Sequence, residues 1–412
     1  MNTSDPSSGT PNNAPGGSSH RSLVLLITLS ACLVLVTSAL LTALMVPQTS
    51  LSIAPLITGP HIIGTLTFGS SGQLNPQSST GINDVIHLQL YGVLPPSPGM
   101  QYDAWLLPDS ASSEQPPVRL GSITLYGRNG QLTYSEPKHT NLLAIYSQVL
   151  IAAQPGSSAA PSLPPITQSD WRYAGHLPAI PTPGDPQHYS FLAHVRHLLA
   201  SDPTLQSIGL SGGLAIWLYR NVGKILEWAN AARDDWTQHS PAAAALLRRQ
   251  VDRILDYLDG APYVNSDVPM GTPFLVDPQA GRIGLLQRHA GQDPPSYLTH
   301  IAIHLRGLIA APGSTVQQQQ KAALIDTALD ALSAELTEVR QEAIALAHVS
   351  DGDLQQPAAL ALLNEMVAQA TVAYVGQETP LAGSSSTSAR GVSWITGQLQ
   401  QFATIAIAAV GG

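Results

Sequence analysis

Charge is scarce in this chain. Asp, Glu, Lys and Arg make up only 11% of its 412 residues, against roughly 25% in an ordinary soluble protein. The 18 Lys and Arg are outnumbered by 27 Asp and Glu, leaving a net charge of −9. Phosphate backbones need dense cationic patches, so nucleic acid is excluded as a partner. There is one cysteine, Cys32, which rules out an intramolecular disulfide and a thiolate metal cage. Phosphate loops and dinucleotide fingerprints are missing. Gly209-Leu210-Ser211-Gly212-Gly213 approaches a nucleophile elbow, but it precedes a helix instead of following a strand. The sequence therefore assigns no catalytic residue and no cofactor, and reads as a non-enzymatic protein.

Ser22 to Val46 contains no charged residue. As a helix this run is about 37 Å long, enough for a hydrocarbon core of about 30 Å. His20 and Arg21 precede it, and no Lys or Arg follows until Arg119. The asymmetry predicts a single-pass anchor at 22–46 in the cell membrane, with residues 1–21 cytoplasmic and the bulk extracytoplasmic. Two alternatives stand beside it: cleavage near Thr37-Ser38-Ala39, and acylation of Cys32 within the lipobox-like Leu29-Ser30-Ala31-Cys32.

Beyond the anchor the periodicity changes along the chain. Residues 1–21 are Ser, Pro, Gly and Asn with too little apolar content to fold. Residues 58–155 hold short β-branched and alternating runs, such as Val85–Val93 with Ile86, Leu88 and Leu90 on one face. Asn129-Gly130 signals a hairpin, and the whole predicts a small all-β sandwich. Residues 156–187 are rich in Pro and Ser and read as a linker. From 188 to 378 the period is helical. Ser240-Pro241 and Asp293-Pro294 mark helix starts, and Ser314-x-x-Gln317 is a capping box. Ile325, Leu329, Leu332, Leu336, Val339, Ala343 and Leu346 form a coiled-coil-like seam. An antiparallel bundle of five to six helices is predicted there. A flexible tether at 379–391 then leads to a terminal amphipathic helix at 392–410. The expected fold is a multidomain α+β chain with segregated parts: one transmembrane helix, a small all-β sandwich and an all-α bundle.

Two features of the helical part carry candidate chemistry. The first is the insert at 261–292, too long for a plain helix connection of about 2–8 residues. Thr272–Val276 and Arg282–Leu286 suit a hairpin around Asp277-Pro278, and Val264, Phe274 and Leu275 are expected to pack on the bundle end. Asp267, Asp277, Tyr263 and Arg282 are its candidate polar ligand site. The competing reading makes these carboxylates ordinary turn and cap residues. The second feature is a pair of histidine spacings, His194 with His197 and His300 with His304. Either would put two imidazoles on one helix face, as a zinc site does. Without a His-Glu-x-x-His pattern or any further cysteine, they are expected to be bundle-rim histidines, and no metal is assigned.

The β region resembles the C-terminal extracytoplasmic domain of anti-sigma-K (RskA-type) factors. The resemblance covers residues about 58–158. It rests on Tyr102-Asp103-Ala104-Trp105-Leu106-Leu107, the turns at Leu120-Gly121 and Asn129-Gly130, and Val149 to Ala153 followed by Gln154-Pro155-Gly156-Ser157. It implies an outer sensing or protein-interaction module on an anchor, with a protein partner in the envelope. The family's sigma-factor-binding part is cytoplasmic, and residues 1–21 are too short to supply it. The alternative expectation is a ligand-binding or metal-dependent catalytic helical domain that uses the 261–292 insert.

Overall fold

Among the described residues, nine strands form one antiparallel sheet: β1 (Ile62–Gly69), β2 (Val85–Leu90), β3 (Met100–Pro108), β4 (Val118–Ser122), β5 (Thr124–Tyr126), β6 (Asn129–Ser135), β7 (Tyr146–Pro155), β8 (Trp171–His176) and β9 (Thr404–Ala409). They belong to a computed structural model that describes residues 61–72, 75, 77–110, 114–156, 163–165, 167–377 and 390–410. The expected tail at 1–21, the expected anchor at 22–46 and nearly all of the tether at 379–391 lie outside the described residues. The strand order is β4-β3-β7-β8-β9-β1-β2-β6-β5. Its two outermost strands, β4 and β5, are consecutive in the chain and separated only by Ile123, so the sheet nearly closes on itself. Ile123 N–H donates to Tyr102 O at 2.8 Å, continuing the β3–β4 pairing up to the start of β5.

The alternation in β2 appears as read: Ile86, Leu88 and Leu90 are buried, and His87 and Gln89 are exposed. The β5–β6 hairpin is also present. Its register pairs Tyr126 with Asn129, so Gly127-Arg128 forms the turn instead of Asn129-Gly130. Gly127, at φ 65°, supplies the left-handed conformation that this turn requires.

Two strands come from segments expected to be something else. β8 lies inside the predicted Pro/Ser linker, and β9 inside the predicted terminal helix, which ends at Gln400. Together they fill the middle of the sheet between β7 and β1. The physical reason lies in burial. Ile405 and Ile407 alternate with the exposed Ala406, and both face the core. Gly175 lets β9 close on β8, because a Cβ there would lie 2.2 Å from Ala406 O. The chain from Ile57 to Gly412 thus clusters as one unit, and all nine described strands belong to one nearly closed antiparallel sheet.

Eight helices follow β8 among the described residues. They are α1 (Phe191–Leu199), α2 (Pro203–Ser207), α3 (Leu214–Trp236), α4 (Pro241–Asp259), α5 (Tyr297–Ala310), α6 (Val316–His348), α7 (Pro357–Val375) and α8 (Val392–Gln400). Ser240 caps α4 by accepting from Ala243 N–H, with Pro241 in the first turn. The capping box of α6 sits one residue later than read, at Thr315 and Gln318. Every residue of the predicted α6 seam is buried. Helix α3 packs on α4 and α7, and α6 packs on the same two, which makes a four-helix ring. Helix α5 lies against α1 and α6. By length and composition α7 is the one described helix able to cross a membrane. Its Leu363, Met366 and Ala370 are fully buried in this core.

Candidate metal centre

Helix α1 begins where Ser190 Oγ accepts from Ala193 N–H at 3.2 Å. It then places His194 and His197 one turn apart, on the face that packs against α5. Helix α5 is capped in the same way by Ser296 and carries His300, His304 and Gly307 at spacings of four and three, which puts them on one face. Asp202 caps the short α2 between them: its Oδ1 accepts from Leu205 N–H at 3.1 Å, leaving Oδ2 to face the imidazoles.

These residues converge. His197 Nδ1 is 3.3 Å from His304 Nε2. Asp202 Oδ2 lies 3.9 Å from His197 Nδ1 and 3.7 Å from His304 Nε2. A tetrahedral zinc ion with Zn–N and Zn–O bonds of about 2.0–2.1 Å separates its ligand atoms by about 3.3–3.4 Å. His197, Asp202 and His304 therefore stand within a few tenths of an ångström of a metal-ligating triad. The geometry fits the group with little movement. His300 Nε2 is 3.8 Å from the same Asp202 oxygen, and its ring stacks on His304 at 4.9 Å, which makes it the candidate fourth ligand.

The surroundings favour that reading. Asp202 is 1% exposed and His304 4% exposed. Burial drives all four imidazoles toward their neutral, ligating form. It pushes His197 down to about 4, with His194 and His300 adding to the effect. It pushes His304 down to about 2, with the other three histidines contributing. His194 is lowered by burial, against the charge of Asp185. His300 is lowered by burial, against the charge of Asp202. Asp202 itself is raised by burial, against the charge of His300 and the N–H groups of α2; this shift alone opposes ligation, which requires the carboxylate form.

The far nitrogen of His304 has its own partner. His304 Nδ1 lies 3.0 Å from His194 Nδ1. With Nε2 turned to a metal, Nδ1 carries the proton and donates it to His194, the outer hydrogen bond that orients a ligating imidazole. Gly307 makes room for this arrangement. A Cβ there would lie 2.2 Å from His194 Cε1 and 2.3 Å from His194 Nε2. Tyr189 closes the other side, its ring edge-on to His197 at 4.6 Å and to His194 at 5.5 Å.

The expected rim histidines are thus buried and gathered from two helices 110 residues apart in sequence. The two spacings were visible in the sequence; their meeting, and the part played by Asp202, were not.

The four residues proposed for the insert site are not gathered in one place. Asp267 Oδ2 pairs with Arg288 at 3.1 Å and also with Arg340. Asp259 Oδ1 joins them through Arg340 Nε at 2.6 Å. Burial and the shared contact with Asp267 push Asp259 up to about 7. Burial acts the same way on Asp267, but hydrogen bonds from Asp259 and Arg340 hold it below the usual range. Asp277 caps its own turn, accepting from Gln279 N–H at 2.8 Å and Ala280 N–H at 3.1 Å. Tyr263 Oη contacts His289 Nε2 at 3.1 Å, and Arg282 is exposed. The insert has no strand; the expected hairpin is replaced by turns, with Leu285 and Leu286 N–H bonded to the last carbonyls of α4. Of the three apolar residues expected to pack there, Val264 is buried and Phe274 packs half-buried on the core, while Leu275 is half-buried outside that cluster.

No protein-family model, curated protein or solved structure matches the chain.

Proposed function

We propose that the chain displays a metal-binding, non-enzymatic sensing or interaction module outside the cell membrane, on the single-pass anchor at 22–46. The observation that carries this reading is the convergence of His197, Asp202 and His304, with His300 beside them and His194 behind. Imidazole and carboxylate donors suit zinc and neighbouring divalent transition metals. The burial of the site supports a metal that ties α1, α2 and α5 together, as structural sites do, over one that turns over substrate. Metal occupancy then becomes the signal that stiffens or loosens the helical part. The expected envelope partner, and the likeness of residues 58–158 to the outer domain of anti-sigma-K factors, belong to the same proposal. The segments that carry the likeness are neighbours in the sheet, Tyr102 opposite Ala153 and Leu106 opposite Val149.

A zinc titration of the untagged protein, followed by thermal melting, tests the reading. Zinc should raise the melting temperature of the wild type. The His197→Ala and His304→Ala variants should bind at least 100-fold more weakly and show no such rise. An unchanged melting temperature in the wild type at micromolar zinc refutes the proposal.

A further inference from the structure

Thirteen large apolar side chains are exposed among the described residues, seven of them, such as Met270, Val316 and Leu324, in or beside the helical part and six in the sheet part. Ile62, Tyr91, Leu94, Tyr126, Leu163 and Val410 all stand at one end of the sheet, where β1 and β8 begin, β2 and β9 end, and β5 turns into β6. Hydrogen bonds along that end join them into one arc. Tyr91 N–H donates to Ile63 O at 2.6 Å, and Val93 N–H to Arg128 O at 2.9 Å. Val410 N–H donates to Arg172 O at 2.9 Å, and Ile62 pairs with Ala408. Trp171 Nε1–H donates to Pro165 O at 2.9 Å, holding the 163–165 segment beside β8.

The opposite end of the sheet is covered by helices. Asn83 Nδ2–H donates to Leu199 O at 2.9 Å, Arg196 Nε–H to Leu143 O at 2.8 Å, and Gln400 Nε2–H to Asn83 Oδ1 at 2.7 Å. Among the described residues, no helix covers the helix-distal end of the sheet.

We propose that this end of the sheet rests on a lipid surface, with Tyr91, Leu94 and Tyr126 seated among the headgroups. Three observations favour lipid as the occupant. Tyrosine with aliphatic neighbours is the composition of a membrane interface. Exposed Arg128 and Arg172 stand in the same arc, in a chain whose net charge is −9, and suit anionic headgroups. The chain also enters β1 at this end. Residues 47–61 span at most about 50 Å, which keeps this end within reach of a bilayer that holds the expected anchor. The inference rests on the anchor reading in the proposed function, and is separable from it by experiment.

The full chain with Cys32→Ser and a single new cysteine, Leu94→Cys or Tyr126→Cys, is labelled with a polarity-sensitive fluorophore. It is reconstituted in phosphatidylcholine–phosphatidylglycerol vesicles that contain a spin-labelled quencher lipid. Leu246→Cys on α4, also exposed, is the control. Flotation with the vesicles reports anchoring. Quenching at 94 and 126 at least twofold above that at 246 is expected. Flotation with equal quenching at all three positions overturns the lipid contact and leaves the anchor standing. Failure to float overturns both.

Discussion

Replacing Gly307 by alanine probes the centre through a residue that ligates nothing. In an exposed helix interior, glycine to alanine stabilises by about 1 kcal/mol. At Gly307 the new methyl would sit 2.2 Å from His194 Cε1 and 3.0 Å from His194 Nδ1, well inside contact distance. Either the ring swings away, breaking its 3.0 Å contact with His304, or α5 moves off α1. Overpacking of this kind costs about 1–3 kcal/mol. Set against the propensity gain, the net destabilisation should be about 0–2 kcal/mol. Metal affinity should fall about 10- to 100-fold, the usual cost of losing an outer hydrogen bond to a ligating imidazole. Denaturant melts with and without chelator, together with competition titration against a zinc indicator, read both numbers. Gly397→Ala in α8, where a Cβ would meet nothing within 4 Å, is the control and should be stabilised. A Gly307→Ala protein at least as stable as wild type, with unchanged zinc affinity, would refute the reasoning.

Three other outcomes follow from the same structure. Glu342 is pushed up to about 7 by burial and by the charges of Glu365 and Glu338, above its unfolded 4.5. The stability it contributes is therefore present below pH 4.5 and lost as pH rises to 7. Glu342→Gln should raise stability by about 1–3 kcal/mol at pH 8, discounted for partial exposure, and change little at pH 4.5; equal effects at both pH values would contradict this. Arg340→Met leaves the buried Asp259 carboxylate, which is 0% exposed, with Arg288 Nε at 3.3 Å as its remaining cation, and should cost less than the about 3–5 kcal/mol of a fully unpaired buried charge while speeding amide exchange across 261–292. Slow exchange there in the variant would show that the ion pairs do not pin the insert. Ile405→Ala, in the middle of the sheet, should cost about 2–5 kcal/mol and lower the melting of β and helical signals together; separate transitions would mean that β9 does not join the two parts.

The helices were the most legible part of the fold, because long apolar stripes and Ser-Pro starts report only local preference; the capping box was read one residue early, at Ser314 and Gln317. The seam of α6 is entirely local in that sense. Strands β8 and β9 were hidden for opposite reasons. Trp171–His176 carries strand-favouring aromatics, but prolines flank it on both sides. Thr404–Ala409 fits both periods, since its isoleucines alternate with alanines that either structure tolerates. Ile405 and Ala409 line up with the stripe of α8, so nothing local marks the turn at Gln401–Ala403. What decides the outcome is a sheet with an open place between β8 and β1, a tertiary fact. The centre follows the same pattern. Helical spacing showed that His194 and His197 share a face, and His300 and His304 another. It held no information on the packing of α1 against α5. Asp202 looked like a helix cap, which it is; only its second oxygen reveals the other role.

Anomalous diffraction at the zinc edge, from crystals of the zinc-loaded protein, tests the central claim most directly. The account predicts one dominant peak about 2.0–2.2 Å from His197 Nδ1, His304 Nε2 and an Asp202 oxygen, absent from crystals of the His304→Ala variant. Zinc bound elsewhere, or no peak between α1 and α5, would contradict it.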